Sequence, residues 1–351
     1  MLDLIKEYII KFTDFVCGWP LFTLLIGGGI FLFIYSRALP LRKLGLAVSS
    51  LKMKKKGEGQ VSSFQALMNT ISSTVGMGNI AGVAIALCVG GPGAIFWMWV
   101  SALLGMATKF FEGTLAVMYK GKDDKGVAQG GPMFVLTEGI GRKMKPLAVM
   151  FAFCALFSGL PVMQANQLSE SLYSVILEPL GVPESRWVFL VIGLVIGGIV
   201  SLVIFGGIKR ISQVSSKIVP FMVGFYFLMV VGIMVVYHDR LPSVFEAIFE
   251  GAFCWKAGFG ALAAVALTGA RRAMFVNEAG VGTAGMMHGA SMNAEPVREG
   301  LVAMLGPAID SGLVCTLSAI PMIMAGLYST ASISSSAVTI SPTTPPSLNR
   351  L

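Results

Sequence analysis

Thr74-Val75-Gly76-Met77-Gly78-Asn79 stands inside an apolar stretch running from Ser62 to Gly90. Glycine has poor helix propensity, so Gly76 and Gly78, one residue apart, weaken any helix formed here. Irregular backbone at membrane depth is tolerated only where it lines a cavity or is buried in protein. Unwinding would expose amide N–H groups at Gly76, Met77 and Gly78. They would open the following half-helix, whose positive dipole end favours an anion such as a carboxylate. The carbonyls that end the preceding half-helix, at Thr74 and Val75, favour a cation. One broken helix can thus hold a zwitterion and a sodium ion together. The same spacing fits equally well with glycines that let two helices pack closely.

Other polar groups lie within apolar runs. Lys109 and Glu112, three residues apart, read as a local ion pair with a snorkelling lysine ahead of a proton relay. Gln164, Asn166 and Gln167 follow a Gly159-Leu160-Pro161 kink, where amides either tie helices together or meet a ligand. Asp310 falls well inside the last apolar run, where a carboxylate is costly. It is either a hydrogen-bonded structural group or part of a coupling path. Ala257-Gly258-Phe259-Gly260 interrupts a second apolar run near its middle. Paired interruptions at corresponding positions of two halves point to a transporter's binding site.

The elements that carry these residues are membrane helices. Of the 351 residues, 55% are apolar and 13% charged, about half the charge of an average soluble chain, and the mean hydropathy is +0.78. A span needs about 20 apolar residues. Eight runs qualify: 18–36, 63–89, 94–119, 147–170, 187–207, 216–237, 245–269 and 300–326. Lys and Arg number seven in 37–61, six in 120–145, three in 208–217 and three in 271–298, with few between the alternate runs. This alternation follows the positive-inside rule and predicts an external N-terminus. The net charge of +8 therefore reports topology in a lipid bilayer, and no nucleic-acid partner is expected. Residues 1–17 read as an interfacial helix and 18–36 as a first span. The five cysteines read as small core residues without metal spacing. No nucleophile elbow, phosphate loop or zincin motif is present, which argues against an enzyme. After Gly326 the composition shifts: 14 of the last 25 residues are Ser, Thr or Pro. Residues 327–351 are thus expected to be a disordered tail.

The stretch Gly90-Gly91-Pro92-Gly93-Ala94-Ile95-Phe96-Trp97-Met98-Trp99, continuing to Gly105-Met106-Ala107-Thr108-Lys109-Phe110, resembles the signature of the alanine/glycine:cation symporters, the sodium:alanine symporter family. Further motifs follow in the family's order: Gly78 to Ala84, Gly130-Gly131-Pro132-Met133, Val219-Pro220-Phe221-Met222, Asn277-Glu278-Ala279-Gly280, and Asp310 with Val314-Cys315-Thr316. The resemblance implies an all-α, leucine-transporter-type fold of two inverted five-helix repeats preceded by one extra helix. The first repeat would cover 62–237 and a partial second repeat 245–326. It implies inward symport of alanine or glycine with sodium across a bacterial or archaeal inner membrane, by alternating access. Carried over by position, Gly76, Met77, Gly78 and Asn79 would receive the substrate carboxylate, and Gln164 would contact the substrate. Gly258 and Gly260 would line its other side.

Three departures from the family pattern stand out. Met77 occupies a position where many members carry Thr, and Thr283 one where Ser is common. The resemblance also ends near Gly326, short of three family helices, one of which supplies hydroxyl ligands to a sodium site. That leaves a partial sodium site at Thr74 and Val75, and a truncated, non-transporting remnant as the alternative reading.

Met77→Thr is expected to change either the affinity or the preference among small amino acids, measured by competition against labelled alanine. No change in either would move the carboxylate site away from Gly76–Asn79.

Overall fold

Long apolar runs become helices, because nearly every backbone group is then satisfied within the segment. The computed structural model of the chain is built almost wholly of them. It describes residues 2–326 apart from 17, 52–56, 125 and 254–258. Gly258, Cys17, Cys254 and the predicted tail 327–351 therefore lie outside the described residues.

Helix α1 (Leu2–Val16) precedes α2 (Trp19–Tyr35), which starts on Pro20, a residue pre-set for a first helical turn. After two short helices, Leu39–Arg42 and Leu44–Ser50, α3 (Ser63–Thr74) begins on a capping box. There the Ser62 hydroxyl accepts from the Gln65 N–H and the Gln65 side chain accepts from the Ser62 N–H. Helix α4 (Met77–Gly90) and α5 (Gly93–Met118) follow. A two-residue hairpin pairs β1 (Gly121–Lys122) with β2 (Ala128–Gln129). Then come α6 (Lys145–Ser158), α7 (Val162–Leu172), α8 (Arg186–Ile204), α9 (Gly207–Val236) and α10 (Leu241–Ala252). The described chain closes with α11 (Phe259–Asn277), α12 (Thr283–Gly289) and α13 (Pro296–Met324), whose middle forms a π-helical turn over Ala308–Val314.

Four of these helices, α5, α8, α9 and α13, are long and apolar enough to cross a membrane, and the bent pair α3–α4 makes a fifth candidate. The protein is thus an all-α, multi-pass membrane protein. The eight expected spans are redrawn in three places. The run 147–170 divides into α6 and α7 around Leu160-Pro161, since proline lacks an N–H and clashes with the preceding turn. The run 216–237 starts nine residues earlier, with Lys209, Arg210 and Lys217 inside α9. The run 245–269 is displaced most. Helix α11 continues to Asn277 and takes in Arg271 and Arg272, good helix formers that the charge pattern had put in a loop. Helix α10 ends at Ala252 and α11 starts at Phe259 with Gly260 in its first turn, so the expected interruption at 257–260 falls where one helix gives way to the next, with 254–258 outside the described residues. A further interruption is Glu278–Gly282, where Glu278, Gly280 and Gly282 all take positive φ (50°, 88° and 95°). Two of the three are glycine, which adopts that conformation without steric penalty.

Helix α5 is the spine of the bundle. A Cβ on Gly300 of α13 would lie 2.0 Å from the Thr114 hydroxyl and 2.5 Å from the Phe110 carbonyl. A Cβ on Gly269 of α11 would lie 2.2 Å from the Ala94 carbonyl. Small residues thus bring both helices into backbone contact with α5, the way membrane helices associate without a hydrophobic drive. The outward faces of α8 and α9 carry large exposed apolar side chains such as Leu194, Leu202 and Phe225, as a lipid-facing surface would. Cys315 is buried, but Cys88 and Cys154 are exposed on outward faces, so only the first fits the core role expected of the cysteines.

A fully buried polar cluster pins the end of the bundle where α3 begins. Glu299 accepts hydrogen bonds from the Ser63 hydroxyl (2.6 Å) and the Asn293 amide (2.9 Å), and it pairs with His288 Nδ1 at 2.7 Å. Nearby, Lys120 donates to the Ser291 carbonyl (2.6 Å) and the Glu58 carbonyl (3.1 Å). Burial pulls the Lys120 ammonium below the usual lysine range, against the opposing pull of Glu299 and Glu58.

Glu299→Ala leaves His288, Ser63 and Asn293 without their acceptor. It is expected to cost about 3–5 kcal/mol, as breaking one side of a buried pair does, read as a lower unfolding midpoint in detergent. A midpoint equal to that of the parent would mean the cluster contributes nothing.

Candidate functional site

The two halves of the bent pair, α3 and α4, meet at 48°. Only Val75 and Gly76 are non-helical, both with extended φ (−76° and −168°). Gly78 and Asn79, expected in the unwound segment, belong instead to the first turn of α4. The cause is local. Asn79 is the third residue of α4, and its Oδ1 accepts the Gly76 N–H at 3.0 Å, closing the turn from within. The Gly76 amide is therefore occupied. The N–H groups of Met77 and Gly78 open the helix and have no intrahelical acceptor.

The other end of the Asn79 amide reaches across the bundle. Its Nδ2 donates to the Asp310 carboxylate in the π-helical turn of α13 and to Cys315 Sγ at 3.5 Å. Asn79 and Asp310 are each 1% exposed. Thr74 sits beside the same carboxylate, whose Oδ2 has no hydrogen-bond partner among the described residues. Asp310 is thus placed at the break itself, which the sequence could not decide.

A cavity of about 330 Å³ opens on the break. Thr74, Val75, Gly76 and Gly78 form one wall, Gln164 and Gln167 of α7 another, and Arg272, Phe275 and Glu278 a third. Gln164 and Gln167 therefore meet the break, whereas Asn166 faces a separate depression with Glu170 and Glu184. Gly260 is not among the lining residues, and Met77 opens α4 beside them. The cavity presents one cation, one carboxylate, two amides and a helix N-terminus. That set can hold a zwitterion from both ends.

Arg272, Phe275 and Glu278 were not read as site residues. The available signal was Gly280-Val281-Gly282, which repeats the spacing of Gly76-Met77-Gly78 and marks the second break beside Glu278. Lys109 also differs from expectation: at 1% exposure it is buried and does not snorkel. Its Nζ lies 4.0 Å from Glu112 Oε2. The other Glu112 oxygen accepts the Gly285 N–H at 2.9 Å, capping the short helix α12 that follows the second break.

A family model described as the sodium:alanine symporter family matches residues 2–344. The match continues past Gly326, where the sequence motifs had appeared to end. The chain is similar to "Sodium/alanine symporter AgcS" of Methanococcus maripaludis, with 40% identity over 324 residues, covering 90% of this chain and 70% of the relative. An "Uncharacterized transporter" of Haemophilus influenzae is 36% identical over 345 residues, covering 95% and 73%. A Bacillus subtilis relative named "Probable sodium/glutamine symporter GlnT" is 32% identical over 345 residues, covering 95% and 69%.

Asn79→Ala removes the cap of Gly76 and the donor to Asp310 in one step. Each buried group left unpaired costs about 1–3 kcal/mol, so the variant is expected to unfold at a clearly lower temperature in detergent and to lose ligand binding. Parent-like stability would mean the break is held by something else.

Proposed function

The chain belongs to the sodium:alanine symporter family, and we propose that it carries a small neutral amino acid, alanine or glycine, into the cell together with sodium. It is a transporter and not an enzyme, and sodium is the co-transported ion of its family. The observation that carries the reading is the cavity at the α3–α4 break, with Gln164, Arg272 and Glu278 opposite the N-terminus of α4.

In this reading the substrate carboxylate lies against the amide N–H groups of Met77 and Gly78, where the dipole of α4 favours negative charge. The Gln164 amide contacts the substrate, and Glu278 faces its ammonium. Phe275 and Arg272 form the far wall. Asn79 holds the break in shape, and the substrate does not touch it. Sodium binds at the carbonyl end of α3, at Thr74 and Val75, with the Asp310 carboxylate to balance its charge. Ion and zwitterion share one break, so each lowers the cost of burying the other, and that coupling drives uphill uptake.

The two breaks, at Val75–Gly76 and Glu278–Gly282, support paired discontinuous helices of two inverted repeats, rocking about the site by alternating access. The positive-inside pattern supports an external N-terminus in a bacterial or archaeal inner membrane. A relative named for glutamine makes the choice of side chain the open variable of the site, and the small residues Gly78, Ala81 and Gly82 on the cavity wall favour a small one.

Purified protein in proteoliposomes is expected to take up labelled alanine only with an inward sodium gradient. Gln164→Ala should raise KM about ten-fold, the equivalent of one hydrogen bond of roughly 1.4 kcal/mol. Uptake indifferent to sodium would sink the symport reading, and an unchanged KM would remove Gln164 from the site.

A further inference from the structure

Gly105, Lys109 and Glu112 recur at helical spacing and share one face of α5. Lys109 Nζ has no hydrogen-bond partner among the described residues, and neither do Glu112 Oε2, Asp310 Oδ2, Asn277 Nδ2 and Ser311 Oγ. Glu112 Oε2 stands 4.0 Å from the ammonium. The π-helical turn that carries Asp310 packs directly against α5. One buried cation thus shares this packed interface with two carboxylates, each of which has one hydrogen-bonded oxygen and one without a partner among the described residues.

An unpaired buried charge is costly, so the ammonium must serve one carboxylate or the other. Lysine suits such a choice, since its charge is a compact point at the end of a flexible four-carbon stem. The two carboxylates are not equivalent in their surroundings. Asp310 accepts from Asn79 at the first break, while Glu112 accepts from Gly285 beyond the second. With one positive charge against two negative ones, the trio favours the arrival of a further cation.

We propose that Lys109 is a positioning residue that competes with the transported sodium for Asp310. Without an ion at the first break, the ammonium turns toward Asp310. An ion bound there repels it toward Glu112, whose carboxylate caps α12. Occupancy of the first break is thereby felt at the second, and by linkage the state of α12 alters the affinity for the ion. The differential contact that such coupling requires is the position of one ammonium. The proposal rests on the reading that sodium binds at the first break.

The test is a sodium titration of labelled-alanine binding to the purified full chain, parent against two variants. Lys109→Met removes the competitor and is expected to lower the half-saturating sodium concentration about ten-fold, within the ordinary range of coupling. Glu112→Gln removes the alternative partner, holds the ammonium at Asp310, and is expected to raise that concentration by a similar factor. A purely structural role would weaken binding in both variants, so opposite signs support the competition. Shifts of the same sign, or of less than about two-fold in both against a sodium-dependent parent, would overturn it. A parent whose alanine binding ignores sodium would overturn the site reading first and the competition with it. If a variant is too unstable for binding assays, the sodium dependence of its unfolding midpoint in detergent reports the same shift.

Discussion

A helix broken at membrane depth must satisfy its freed backbone groups without water, and the arrangement of this bundle follows from how that is done. At Val75–Gly76 the solution is a single side chain. The Asn79 amide closes the first turn of α4 through its oxygen and grips Asp310 of α13 through its nitrogen. A local capping problem thereby becomes a tertiary contact across 231 residues of chain. The π-helical turn of α13 matters here, because Asp310 lies within it, and such turns often mark functional positions in otherwise regular helices.

Helix α5 supplies the frame for both breaks. Its N-terminal half is locked by close backbone contacts with α11, and its C-terminal half by similar contacts with α13. Between them its buried face offers Lys109 and Glu112 to the two irregular segments. In a medium as apolar as the side chains themselves, small residues at contact points give the close fit that hydrophobic burial supplies in water. The stretch Gly90 to Phe110 is thus a packing surface.

The first break was legible because two glycines one residue apart, in an apolar run, leave few other readings. The exact place of unwinding was not, since it depends on Asn79 choosing to cap Gly76, a choice stabilised by Asp310 far along the chain. The break at Glu278–Gly282 is less legible. Gly280 and Gly282 have the same one-residue spacing as Gly76 and Gly78, but the adjacent arginines make them look like loop. Only packing against α5 reveals that Arg271 and Arg272 belong to a helix. Lys109 was misread because three-residue spacing to Glu112 fits a solvated pair as well as a buried one. Gln164 and Asn166 could be separated only by the direction each faces on α7.

The two half-helices that start at the breaks differ in how their positive ends are met. Helix α12 is capped by the Glu112 carboxylate, so its dipole, equivalent to roughly half a unit charge, already faces a full negative charge. Helix α4 is capped by a neutral amide, which satisfies one N–H but leaves the dipole uncompensated. Asp310 does not change this, because it is engaged with the amide nitrogen of Asn79. An anion entering the cavity therefore finds one attractive helix terminus and not two. That asymmetry, set by an asparagine at one break and a glutamate at the other, would orient a zwitterion in a single direction within an otherwise similar pair of interruptions.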